Sequence, residues 1–158
     1  MLKYIPEDTS ITFAEIPDEI CLCINISNCP HRCPGCHSQY LQTDIGNVIT
    51  NEVLHDLIVN NKGITCAVFM GGDSDKESLK QFASYVSSMN LKVGWYSGEY
   101  ELDLNLYEKY FDYIKIGPYI EELGPLNSHN TNQRLYCINK NNNCSNIVIS
   151  DITYKFWR

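Results

Sequence analysis

The chain has 158 residues, 44% of them hydrophobic and 20% charged, and a formal net charge of −7. That length suits one domain spanning 1–158 with a core of its own, and the composition is that of a globular protein in water. Twelve scattered Lys and Arg against nineteen Asp and Glu leave nothing basic to neutralise phosphates, so neither nucleic acid nor an anionic membrane is an expected partner.

The first residues, Met1 to Asp8, lack an apolar stretch of signal-peptide length, and no run later approaches a membrane span. A cytoplasmic location is therefore expected, with the eight cysteines reduced or bound to metal. Ile11–Ile16 and Glu19–Ser27 are β-rich runs meeting at Pro17-Asp18, which predicts an N-terminal hairpin. In the second run Ile20, Leu22, Ile24 and Ile26 alternate with Cys21, Cys23, Asn25 and Ser27. The aliphatic set should pack on helices and the small set face the interior, where Cys21 and Cys23 read as small buried hydrophobes.

Cys29, Cys33 and Cys36 follow in a loop with C-x3-C-x2-C spacing. Pro30, Pro34 and Gly35 keep it out of helix and gather the thiols on one side. A 4Fe–4S cube normally takes four thiolates, so three in one loop leave an iron without a protein ligand, as a reactive centre requires. Zinc is the rival, with His37 or His31 as fourth ligand, although adjacent Cys36 and His37 would have to splay apart to share one ion. Three unligated cysteines are the bland alternative, and the loop is read as a catalytic cluster loop.

Beyond an irregular stretch from Tyr40 to Gly46, Thr50 reads as the cap of a helix carrying Val53, Leu54, Leu57 and Ile58 on one stripe and ending at Asn60, Asn61 and Gly63. Ile64–Met70 is a buried strand stopping at Gly71-Gly72-Asp73. Ser74 and Glu77 form a capping box ahead of a helix with Leu79, Phe82, Ala83 and Val86 at helical spacing. Leu91–Tyr96 is a strand ending at Ser97-Gly98, Asp103–Tyr110 a short helix, and Tyr113–Ile116 a strand ending at Gly117-Pro118. Leu135–Ile138 and Asn146–Ile149 flank the asparagine-rich turn Asn139–Asn143 as a C-terminal hairpin, and Cys137 and Cys144 near it have no further ligand groups. Strands alternating with helices give an α/β domain with a largely parallel sheet. Each unusual loop then sits at the carboxyl end of a strand, where parallel sheets bind ligands. Glycines at Gly71 and Gly72 let backbone approach a ligand closely, and Asp73 could accept from a ligand ammonium or merely start the next helix.

The ordered set CPGCH, FMGGD, YSG, GPYIEELG and TNQRLY resembles the radical S-adenosylmethionine superfamily, and within it the activating proteins of anaerobic (class III) ribonucleoside-triphosphate reductase. The resemblance runs from about Phe13 to the C-terminus. It implies a 4Fe–4S cluster on Cys29, Cys33 and Cys36, and S-adenosylmethionine held by the open iron and by Gly71, Gly72, Asp73 and Ser97. It implies reductive cleavage of that cofactor and formation of a glycyl radical on the partner reductase, with a flavodoxin-type electron donor. Two positions depart from the superfamily pattern. Gly35 stands where an aromatic often precedes the last cysteine, leaving adenine stacking to another residue such as His37, and Asp73 replaces the commoner Glu. The role of Asn132-Gln133-Arg134 is open: Arg134 could meet a carboxylate of cofactor or partner, or salt-bridge the terminal hairpin. With only 158 residues the fold should be an incomplete, open α/β barrel, because a closed eight-fold barrel takes about 250. The alternatives are a radical enzyme acting on a small molecule, such as a 7-deazaguanine-type synthase, and a zinc-stabilised interaction domain.

Overall fold

The computed structural model describes residues 1–140 and 146–158. Its strands, in chain order, are β1 (Lys3–Tyr4), β2 (Ser10–Thr12), β3 (Cys21–Asn25), β4 (Asn47–Val48), β5 (Cys66–Met70), β6 (Lys92–Tyr96), β7 (Tyr113–Ile116), β8 (Arg134–Lys140) and β9 (Ile147–Asp151). Two α-helices, α1 (Asn51–Asn60) and α2 (Lys76–Ser88), carry the crossovers β3–β5 and β5–β6. The main sheet has seven strands in the order β2-β3-β5-β6-β7-β8-β9. Its centre, β3-β5-β6-β7, is parallel, while β2, β8 and β9 join antiparallel at the flanks. The two-stranded β1-β4 ribbon lies beside it, with Tyr4 bridging to Ile26.

Alternation along β3 divides the core as its sequence requires. Leu22, Ile24 and Ile26 join Leu54 of α1 and Leu79, Ala83 and Val86 of α2 in the core on the helix side. Cys21 and Cys23 face the other way and pack with Ile16, Cys66, Val68, Leu135 and Ile152. That second face is covered by the segment around Ile16 and by the C-terminal segment around Ile152 and Phe156 rather than by helices. Tyr96 donates its hydroxyl proton to the Glu15 carbonyl, and Lys155 of the C-terminal turn meets Asp18 at 2.9 Å.

Local chemistry sets the element ends. Thr50 accepts from the Val53 amide and starts α1, and the Asn61 side chain donates to the Leu57 carbonyl at 2.6 Å to close it. Three expectations are corrected. The first hairpin strand ends at Thr12, whose hydroxyl accepts from the Ala14 amide, because Ile16 turns in under the sheet as a fully buried side chain. Helix α2 is capped by Asp75, which accepts from the Ser78 amide and hydroxyl, so the Ser74–Glu77 capping box does not form. Asp103–Tyr110 holds one 3-10 turn, Leu104–Leu106, opened by the Asp103 side chain on the Asn105 amide. The C-terminal hairpin forms as expected from β8 and β9. The middle of its asparagine-rich turn, with Cys144, lies in 141–145, outside the described residues. Among the described residues no helix is long and apolar enough to cross a membrane.

Candidate metal centre and cofactor cavity

The cysteine loop leaves the carboxyl end of β3 and is fixed at its root by backbone. The Asn28 amide donates to the Thr43 carbonyl at 3.0 Å and the Cys29 amide to the Leu41 carbonyl at 2.9 Å. Asn28, Arg32 and Gly35 all take positive φ, which coils the loop back on itself, and the Cys36 amide closes a turn on the Cys33 carbonyl at 3.2 Å. Cys29, Cys33 and Cys36 are each half-buried, and all three line one cavity of about 290 Å³. Burial pushes the Cys29 thiol up from its ordinary pKa, against the pull of the His31 and Arg32 amides on its sulfur. The Ser38 amide donates to the Cys36 sulfur at 3.4 Å. None of Cys21, Cys23, Cys66 and Cys137 is on the cavity wall.

Three further strand-end loops complete the wall. Gly71 extends β5 at φ 113°, and a Cβ there would meet the Ile26 carbonyl oxygen at 3.0 Å, so glycine is what lets this turn lie against β3. Gly72 faces the Leu79 side chain of α2 rather than the cavity. The Asp73 side chain is only 2% exposed and its carboxylate is occupied. It accepts from the Ser97 hydroxyl at 2.6 Å, the Gly98 amide at 2.9 Å and His31 Nε2 at 2.9 Å. The His31 ring packs so close to Gly98 that a Cβ there would meet Cδ2 at 2.5 Å. Asp73 and Ser97 thus brace the cavity through each other. His37 also lines the cavity, its ring centroid 5.3 Å from that of Tyr119 in a tilted contact.

Lys115, near the end of β7, was not singled out by sequence reasoning. Tyr113 and Lys115 share the face of β7 opposite the helices, and Lys115 is a buried cation on the cavity wall. Its ammonium donates to the Gly117 carbonyl at 2.7 Å and the Ser97 carbonyl at 3.3 Å. Burial lowers its pKa to about 8, partly offset by the negative charge of Asp73. A lone lysine in an otherwise apolar four-residue strand was the available signal. Gln133 reaches the same wall, whereas Arg134 turns away, lying 3.9 Å from Asp151 and over the Trp157 ring.

A single zinc ion fits this geometry poorly. Tetrahedral thiolates on one ion at about 2.3 Å sit roughly 3.8 Å apart. Among the described residues the three thiol sulfurs do not all fall within 4.8 Å of one another, and His31 is committed to Asp73. The family model described as "4Fe-4S single cluster domain" matches residues 20–123, well over half of the chain. The chain belongs to the 4Fe–4S single cluster domain family. The match contains the whole cysteine loop, both helices and the three further strand-end loops. No curated protein and no solved structure matches the chain.

Proposed function

We propose that this member of the 4Fe–4S single cluster domain family is a radical S-adenosylmethionine activase that forms the glycyl radical of an anaerobic ribonucleoside-triphosphate reductase. The observation that carries this reading is the gathering of one three-cysteine loop and the loops at Gly71–Asp73, Ser97–Gly98 and Gly117–Pro118 around one cavity at the carboxyl edge of parallel strands. A cavity of about 290 Å³ is near the lower bound for small-molecule sites. Three cysteines leave one iron of the cube for a substrate, and the ordered motifs along the chain resemble those of reductase activases.

On this reading Cys29, Cys33 and Cys36 hold the cluster, and the Gly71 and Asp73 loop orients the amino-acid end of S-adenosylmethionine. His37 with Tyr119 offers the aromatic surface for adenine. When bound, the cluster would supply one-electron reduction of the sulfonium, the chemistry by which S-adenosylmethionine would give methionine and a 5′-deoxyadenosyl radical able to take a hydrogen atom from a glycine of the partner. The chain's own part is to bind, orient and exclude water. The electron comes from a low-potential donor of the flavodoxin type. The sheet is read as an incomplete barrel whose open side the reductase covers, so that cofactor cleavage in the isolated protein is slow or uncoupled and the reductase stimulates it.

The test is an anaerobic mixture of the cluster-loaded protein, reductant, S-adenosylmethionine and a class III reductase, followed by electron paramagnetic resonance. A glycine-centred radical on the reductase is expected. A competent cluster with no such radical, and turnover of a purine-like small molecule instead, would replace this reading with a small-molecule radical enzyme.

A further inference from the structure

A second cavity adjoins the one that the three cysteines line. It holds about 270 Å³, and His31, Cys33, Pro118 and Tyr119 belong to the walls of both. Its remaining walls are Pro34 of the cysteine loop, Tyr100 beyond β6, and Ile120, Glu121 and Glu122 beyond β7. The wall beyond β7 is braced by hydrogen bonds of its own. The Gly117 amide donates to the Glu99 carbonyl at 2.8 Å and Asn132 Nδ2 to the Pro118 carbonyl at 3.0 Å. The Leu123 and Gly124 amides both donate to the Ile120 carbonyl, at 3.0 and 2.9 Å. Glu121 lies along Gly35, where a Cβ would meet its Oε2 at 3.0 Å. The glycine in the place of an aromatic thus leaves room for a carboxylate against the cysteine loop.

The chemistry of these walls limits what fills the groove. Tyr100, 74% exposed, offers with Pro34 and Ile120 an apolar surface for an aliphatic or aromatic side chain. Glu121 and Glu122 are both exposed. Among the described residues no Lys or Arg lines the groove, and its one histidine, His31, is held by Asp73. Two carboxylates without a cation beside them repel an acidic partner and favour a basic one. A metal ion is a poor occupant, because among the described residues no third ligand atom gathers with the pair. We infer that the groove receives the basic segment of the partner reductase that carries the glycine. A Lys or Arg of that segment meets Glu121 and Glu122, and an apolar neighbour rests on Tyr100 and Ile120. The glycine reaches the cluster cavity across the wall that the two cavities share. This rests on reading the chain as a glycyl-radical activase, and it adds where the partner docks and what charge it brings. A wall fixed beforehand lowers the ordering cost of docking.

The experiment is anaerobic equilibrium binding of the cluster-loaded full chain to a class III reductase from the same source, at low and at high salt. Glu121→Lys with Glu122→Lys reverses both charges. Glu7→Lys with Asp56→Lys makes the same change in net charge at exposed positions outside the groove. Glu121→Gln with Glu122→Gln removes the charges conservatively and guards against a folding defect in the reversed pair. Iron content and circular dichroism establish that each variant is intact. Like charges brought together across an interface weaken it steeply. The reversed groove pair should therefore lose on the order of tenfold or more in affinity for the reductase, and the Gln pair should bind with a flatter salt dependence. The pair outside the groove should stay within about twofold. Equal losses inside and outside the groove overturn the inference, since net charge then accounts for both, and so does unchanged affinity in the groove variants. The occupant is read by placing the photo-crosslinker p-benzoylphenylalanine at position 100 in place of Tyr100. The crosslinked reductase peptide should contain the glycine that bears the radical together with a Lys or Arg; a crosslink to another region overturns the assignment. If the reductase binds the unaltered chain but acquires no glycyl radical, the activase reading fails while the affinities still judge the groove as a docking surface. If it does not bind at all, the inference falls.

Discussion

Asp73 accepts three hydrogen bonds with a side chain almost sealed from solvent, and a carboxylate has the lone pairs to do so. Asparagine keeps one acceptor oxygen and turns an amide toward at least one of the three donors. A buried donor left unmatched costs about 1–3 kcal/mol. Asp73→Asn should therefore displace the Ser97–Gly98 loop and weaken S-adenosylmethionine binding by on the order of tenfold or more, while iron content stays normal. Unchanged affinity by titration would show that the brace does not matter to the cofactor. The three loop cysteines are expected to behave differently from the others. Alanine at Cys29, Cys33 or Cys36 should abolish iron loading, whereas alanine at Cys66, Cys137 or Cys144 should not, as iron analysis after anaerobic purification will show. The three loop cysteines, Gly71 and Asp73 could be picked out as cavity residues from spacing along the chain, whereas Gly72 turns to Leu79 instead. Lys115 could not, because its meaning lies in register: it stands opposite Tyr96 on one side and Leu135 on the other, and only that pairing brings it to the cavity. The engagement of Asp73 by His31 and Ser97 likewise joins three separate loops.

Among the elements, both helices and the four parallel strands follow from periodicity, but their ends depend on which of two adjacent groups wins a cap. Ser74 is exposed and makes no capping bond, while Asp75 accepts from the Ser78 amide at 3.2 Å and also lies 3.2 Å from the N-terminal amine. Asp75→Ala should therefore cost about 1 kcal/mol and lower Tm by about 2–4 °C. Ser74→Ala should stay within about 0.5 kcal/mol. The reverse order, measured by thermal unfolding, would restore the capping box. The expected helix at Asp103–Tyr110 fails for a different reason. Eight residues barely repay helix nucleation, and here Tyr107 and Phe111 are drawn onto Trp95, with ring centroids 5.1 and 5.2 Å away. Packing outweighs a weak helical pattern, and no count of helical spacing reveals it.

Across the whole molecule, binding and stability are placed at opposite edges of the sheet. The α/β order was legible; the way the segment after β2 and the C-terminal turn meet under the sheet was not, since the Lys155–Asp18 contact joins residues 137 positions apart. At the carboxyl edge lie the cysteine loop and cavity. At the amino edge Glu19, 6% exposed, accepts from Thr65, Lys92 and Tyr113, which stand at the starts of β5, β6 and β7. Burial would raise the Glu19 pKa, but those three donors outweigh it and hold it below its ordinary value of 4.5. A carboxylate depressed in the folded state contributes stability that is present above its unfolded pKa and is lost as pH falls through the folded one. Glu19→Gln removes the charge and leaves Lys92 half-exposed without its partner. It should lower Tm by several degrees at pH 7, on a cost of about 1.5–3 kcal/mol for hydrogen bonds to a charged group. The gap between variant and parent should then narrow as the pH drops below 4.5, when both are compared after removal of iron so that acid loss of the cluster does not enter. At neutral pH the iron-loaded variant should keep its iron and its S-adenosylmethionine affinity, because none of Glu19, Thr65, Lys92 and Tyr113 lines the cavity. A variant that melts normally, or one that loses cofactor affinity while melting normally, would show that the two edges are not divided in this way.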